Sequence, residues 1–208
     1  MSQEQIQYID NYLQFIGVKF IDVRIELIDH LATEFETESE YVLLGDFLRT
    51  KRNFARKFEK QWDRSKHWGY QKSLLKRIMS YFSSVKNVFI LLMIGFSIFL
   101  SIVSLEETVV KLLFFISLIT PQIIYMYLGR KPKGMHKKIL SAKYMGSIMA
   151  LPSMFLYLLG LTIPLLKENT IWFFFYWFAA MVFNIAGIQE VLKCKNQILK
   201  NYSDLIKN

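Results

Sequence analysis

The chain has 208 residues, of which 53% are hydrophobic and 16% aromatic, and its 26 basic against 17 acidic residues give a formal net charge of +9. So apolar a composition argues against an ordinary water-soluble domain. The single cysteine, Cys194, excludes an intrachain disulfide framework and is read as a plain thiol.

The first 46 residues carry ten acidic and two basic residues. Ser2 followed by Gln5 forms a capping-box pattern, Ile6, Ile9, Leu13 and Ile16 make a three-four stripe, and Gly17 is placed to end the helix. Asp22 is then expected to cap a second helix running to about Glu38. Its apolar face is Leu27, Ile28, Leu31 and Phe35, with Ile25 and Ala32 at the edge. Two such helices joined by a short link pack face to face as an acidic hairpin.

At 100° per residue, Glu26, Asp29, His30 and Glu34 fall on the arc opposite Leu31 and Phe35. They are the solvated face of the helix and the candidate surface for a protein partner. Glu26, His30 and Glu34 also stand at i, i+4 and i+8, a ladder that suits two metal ligands but stretches for three. The other histidines, His67 and His136, fall in basic segments, so no metal and no cofactor is expected. Arg24 projects toward the apolar side, where a guanidinium needs an acid. Asp10 on the first helix is the expected ion-pair partner.

The run Arg24, Glu26, Leu27, Asp29, His30 and Leu31, following a short helix that ends in glycine, resembles the HAAS-type module. Members show an Arg-x-Glu-hydrophobic-x-Asp/Ser-His-hydrophobic pattern, and the match covers roughly residues 1–60. The resemblance implies a small helical domain at the cytoplasmic N-terminus of a bacterial membrane protein, without catalytic residues. It also implies a link to transcription regulators of the PadR type or to transporter permeases.

Residues 47–86 reverse the charge, with twelve basic and two acidic residues. Phe47, Phe54, Phe58 and Trp62 share a helical side interrupted by Lys51, and Leu74, Leu75, Ile78, Met79 and Phe82 form a second stripe. A basic amphipathic segment of this kind suits anionic lipid headgroups, or docking of the acidic hairpin upon it. Aromatics at helical spacing disfavour nucleic acid.

Within 87–190 come four apolar runs, at about 88–105, 109–128, 144–166 and 171–188. Eighteen residues at 1.5 Å rise reach about 27 Å, close to the hydrocarbon thickness. The expected fold is all-α: an integral membrane four-helix bundle with a small cytoplasmic N-terminal helical domain and a basic tail over 191–208. The connection holding Arg130, Lys131, Lys133, Lys137, Lys138 and Lys143, with no acid, should be cytoplasmic. The short connections at 106–108 and 167–170 then face outward, both termini lie inside, and the location is a bacterial inner membrane. Because the first 46 residues are polar and acidic, no secretory signal is expected before the first run.

No ionisable group sits centrally in a run; Lys111 and Glu190 lie near helix ends. The polar candidates in the membrane interior are Pro121, Gln122 and Asn184, with Pro152 and Pro164 in the third run. Gly146 with Ala150, and Ser97 with Ser101, offer close-packing surfaces. No phosphate loop, paired catalytic carboxylates, His-x-x-x-His or Cys-x-x-Cys arrangement appears, so no enzyme is expected. The sequence therefore points to a non-enzymatic regulatory or accessory protein that meets a protein partner or a second copy of itself. The alternative is a small transporter or channel subunit with a site at Pro121, Gln122 and Asn184.

Overall fold

The computed structural model describes residues 1–37, 43–130, 135–164 and 168–206. The expected helix end at Glu38, the loop cations Lys131 and Lys133, and the expected end of the third span at 165–166 lie outside the described residues. Every regular element among those described is helical. The chain divides into two compact units, one of Met1–Trp68 with Lys131–Tyr144, the other of Gly69–Arg130 with Met145–Asn208.

The first unit opens with α1 (Gln3–Phe15). The Ser2 hydroxyl accepts from Gln5 N–H and the Gln5 side chain accepts from Ser2 N–H, which closes a capping box. At the other end Gly17 takes a φ of 97°. This lets Val18 N–H reach the Leu13 carbonyl and Gly17 N–H reach the Gln14 carbonyl, both at 3.0 Å. That is the paired closure of a Schellman cap, and only a residue without a Cβ adopts the turn cheaply.

Helix α2 (Ile21–Thr37) follows, then α3 (Leu44–Thr50) and the first part of α4 (Arg52–Tyr81). The unit is completed by α7 (Met135–Lys138) and α8 (Leu140–Tyr144). Ile9, Leu13, Val23, Leu27, Leu31, Phe47, Leu48, Ala55 and Leu140 form one buried core, with Phe35, Phe58, Trp62 and Tyr144 packed against it. The charge pattern changes at residue 46, whereas the packing runs on through α4 and gathers α8 from far along the chain. Two short helices bury too little apolar surface to hold themselves together, and the later elements close the core.

The second unit contains the remainder of α4, then α5 (Val85–Ser104) and α6 (Glu107–Leu128). A 3₁₀ turn (Met145–Met149) leads to α9 (Ala150–Tyr157) and α10 (Leu159–Thr162), and the last helix is α11 (Thr170–Ile206). Four stretches are long and apolar enough to cross a membrane: Val85–Ser104, Glu107–Leu128, Leu140–Thr162 and Thr170–Tyr202. Phe89, Leu92, Phe96, Phe99, Leu112, Phe115, Ile116 and Met126 are exposed on α5 and α6. A water-soluble protein does not tolerate that much outward apolar surface, and these are the outer faces of a multi-pass membrane protein.

Helix α11 is central in this unit. Phe173, Trp177 and Ala180 join Val110, Phe114, Leu118 and Phe155 in one apolar cluster, and Val182 and Ala186 join Leu74, Ile78 and Leu91 in another. At Gly187 a Cβ would come within 2.8 Å of Met149 Sδ and 2.9 Å of Pro152 Cγ. Only glycine permits that approach.

Two expectations about the spans are corrected. The third run is interrupted rather than a single helix. Pro152 has no N–H to give the carbonyl four residues back, and the chain just before it tightens to 3₁₀ geometry. The last helix does not stop at 188, where the fourth apolar run ends. It continues to Ile206, because no glycine or proline follows Gly187 and because Val191, Cys194 and Ile198 are buried.

Candidate functional site

Asp22, expected as an N-cap, lies inside the first turn of α2 instead. Its carboxylate is 5% exposed and accepts from Leu140 N–H at 2.9 Å, Ser141 N–H at 2.8 Å and the Ser141 hydroxyl at 2.7 Å. The first N–H groups of α8 have no partner within their own helix, and Asp22 supplies one through space. Asp63 on α4 accepts from the Tyr144 hydroxyl at 2.8 Å and lies 3.6 Å from Lys143 Nζ. Lys143 Nζ also stands 5.4 Å from the Phe20 ring centre. The segment after α7 is thus held at both ends by carboxylates of the N-terminal helices.

Arg24 Nε donates to Asp10 Oδ1 at 2.7 Å. The other Asp10 oxygen accepts from Gln14 Nε2 at 2.6 Å, and Arg24 Nη1 reaches the Val18 and Lys19 carbonyls at 3.5 and 3.4 Å. One guanidinium therefore ties α2 to α1 and to the turn between them.

The four candidate partner residues separate into two kinds. Glu34 is bound by Lys51 Nζ at 2.6 Å, and the same ammonium sits over the Phe47 ring. Asp29 and His30 are exposed, Glu26 half-buried. His30 Nε2 stands 3.8 Å from Glu26 Oε1, and its ring meets Phe58 edge-on at 5.6 Å between centres, with Phe54 exposed beside Phe58. Glu26, Asp29, His30 and Phe54 make a small patch of mixed chemistry.

In the second unit, Gln122 Nε2 donates to Asn184 Oδ1 at 3.2 Å, Ser153 Oγ donates to Gln122 Oε1 at 3.1 Å, and Asn184 Nδ2 donates to the Ala180 carbonyl at 2.9 Å. Asn184 is 1% exposed. Pro121 lies inside α6, which continues through it. These groups satisfy one another, as interhelical polar contacts do in a membrane. Ser97 and Ser101 donate to carbonyls of their own helix at 2.8 and 2.9 Å. They line a groove of about 530 Å³ with Leu113, Trp177 and Met181.

One polar centre escaped the sequence reading. Glu190, 5% exposed, accepts from Ser73 Oγ and Arg77 Nε, each at 2.5 Å, with Lys193 Nζ at 3.8 Å. Gln189 alongside accepts from the Tyr81 hydroxyl at 2.7 Å. Burial raises the Tyr81 pKa above its ordinary value, opposed by Arg77 and reinforced by Glu190, so the phenol stays a donor. One turn further on, Cys194 Sγ lies 3.2 Å from the Tyr70 hydroxyl. Glu190 at four residues before Cys194, and Ser73 at four before Arg77, was the available signal: each pair shares a helix face.

Among the described residues no group of three or more His, Cys, Asp and Glu converges as a metal set would. No protein-family model matches the chain, and neither a curated protein nor a solved structure matches it.

Proposed function

We propose that this multi-pass chain is a non-enzymatic regulatory or accessory protein of a bacterial inner membrane. Its N-terminal helical unit, similar to HAAS-type modules, lies in the cytoplasm with both termini. It contacts a protein partner, or a second copy of the chain, through Glu26, Asp29 and His30. The observation that carries this reading is the contrast within α2. Asp22, Arg24 and Glu34 are spent on internal contacts, while Glu26, Asp29 and His30 stay at the surface beside the exposed Phe54 ring. An accessible aromatic with a polar rim suits an interface. The run of cations at 130–143, with no acid among them in the sequence, supports the cytoplasmic side. In the membrane part, Gln122 and Asn184 bond to each other and to Ser153, which favours a packing role over a transport site.

The test replaces Glu26, Asp29 and His30 together with alanine and recovers the tagged full chain from its native membrane in mild detergent. The reading expects the co-purifying polypeptide, or the self-associated form, to be lost while membrane abundance is unchanged. Recovery of the same species from the triple variant removes this face.

A further inference from the structure

Helix α4 sorts its charges by face. Its acids turn toward the rest of the first unit: Glu59 accepts from Lys19 N–H at 3.4 Å and Asp63 from the Tyr144 hydroxyl. Ala55 is buried, and Phe58 and Trp62 pack on the core. The opposite side carries Arg56, Lys57, Lys60 and Arg64, all exposed. None of the four has an ion-pair partner among the described residues. Lys57, Lys60, Gln61, Arg64, Ser65 and Trp68 line one shallow depression of about 440 Å³.

The same helical face changes character along its length. Lys57, Arg64 and Trp68 succeed one another at steps of seven and four, which keeps them within about 40° of one another. Trp68 is 66% exposed. The face thus passes from cations to an indole, the order in which a membrane surface passes from phosphates to the interface.

We infer that this face of α4 binds the anionic phosphate headgroups of the bilayer that holds the chain, with Lys57, Lys60 and Arg64 as the headgroup ligands and Trp68 as the interfacial anchor. Charge complementarity makes the occupant an anion, and the exposed Trp68 indole, with a membrane-spanning stretch beginning 17 residues on at Val85, selects a lipid headgroup. These residues are distinct from the proposed partner face, so the inference stands or falls separately from it.

The experiment places an environment-sensitive fluorophore on the full chain at Gln61→Cys, Cys194 being buried. The chain is reconstituted in nanodiscs of phosphatidylcholine alone or with about one-third phosphatidylglycerol. The inference expects a blue-shifted emission in the anionic discs only, reversed at about 1 M salt, where the screening length falls to roughly 3 Å. The docked-to-free ratio should fall about fivefold for each of Lys57→Ala, Lys60→Ala and Arg64→Ala. Arg49→Ala, an exposed cation of α3 outside this face, should leave it unchanged. Equal emission in the two discs, or a shift that survives the triple Lys57→Glu, Lys60→Glu, Arg64→Glu variant, overturns the inference. So does a shift produced by duplex DNA in phosphatidylcholine discs but not by phosphatidylglycerol.

Discussion

The Asp22 carboxylate receives the backbone N–H groups of Leu140 and Ser141 across 118 and 119 residues of sequence, at 2.9 and 2.8 Å. An acid near the chain's beginning thereby caps the short helix that opens the third membrane-spanning stretch. Asp22→Ala strips three donors of their acceptor at a site where water has little access, a loss of about 2 kcal/mol. Hydrogen exchange of the Leu140 and Ser141 amides should accelerate by about tenfold or more. Asp22→Asn, keeping one acceptor oxygen, should fall between wild type and alanine.

The Arg24–Asp10 pair is mostly buried on both sides. Asp10→Ala leaves the guanidinium with only the Val18 and Lys19 carbonyls, and Arg24→Ala leaves the carboxylate without its counter-charge. Each single substitution should cost about 2 kcal/mol, discounted from the figure for fully buried pairs. The double substitution should cost less than the sum of the two. A double-mutant cycle on thermal unfolding of the full chain in detergent measures the coupling, and strict additivity would contradict an energetic link between α1 and α2.

Glu190 lies among Ser73, Arg77 and Lys193, and Cys194 is buried one turn away. Glu190→Ala leaves Arg77 without its counter-charge and should destabilise this end of the bundle by about 3 kcal/mol. The native thiol reports it. Maleimide labelling of Cys194, the chain's single cysteine, should be slow in the wild type and begin at a lower temperature in the variant. Glu190→Gln, which still accepts hydrogen bonds, should lie between them.

Gly187 meets Met149 and Pro152 at distances no Cβ accepts. The Met149 thioether can swing aside, but the Pro152 ring cannot. Gly187→Val should therefore separate α11 from the third span and cost about 1–3 kcal/mol, seen as a lower midpoint in the same thiol assay. Gly69, with no atom near its virtual Cβ, is the control: Gly69→Ala should not lower the midpoint.

Much of the architecture was legible because it rests on local chemistry. Ser2, Gln5 and Gly17 specify both ends of α1 through caps that need no distant partner, and four apolar runs announce the spans by length. What stayed hidden depends on residues far apart in sequence. Nothing near Asp22 indicates that it will turn away from its own helix to Leu140 and Ser141. Glu34 belongs to the polar arc of α2 on a helical wheel, and only the later fold places Lys51 against it. The break in the third span had a local cause in Pro152, but hydropathy averages over it. The length of α11 was concealed for the opposite reason. Its final turns are polar enough to resemble a tail, yet they carry Glu190, Cys194 and Ile198 into buried positions.

The central claim is that Asp29 and its neighbours face another protein. A photo-crosslinking amino acid at position 29 of the full chain, activated in living cells, tests it most directly. The account predicts one discrete adduct, with a heterologous polypeptide or with a second copy of the chain, that disappears when Glu26 and His30 are replaced by alanine. Absence of any adduct at position 29, or an adduct indifferent to those two substitutions, would contradict it.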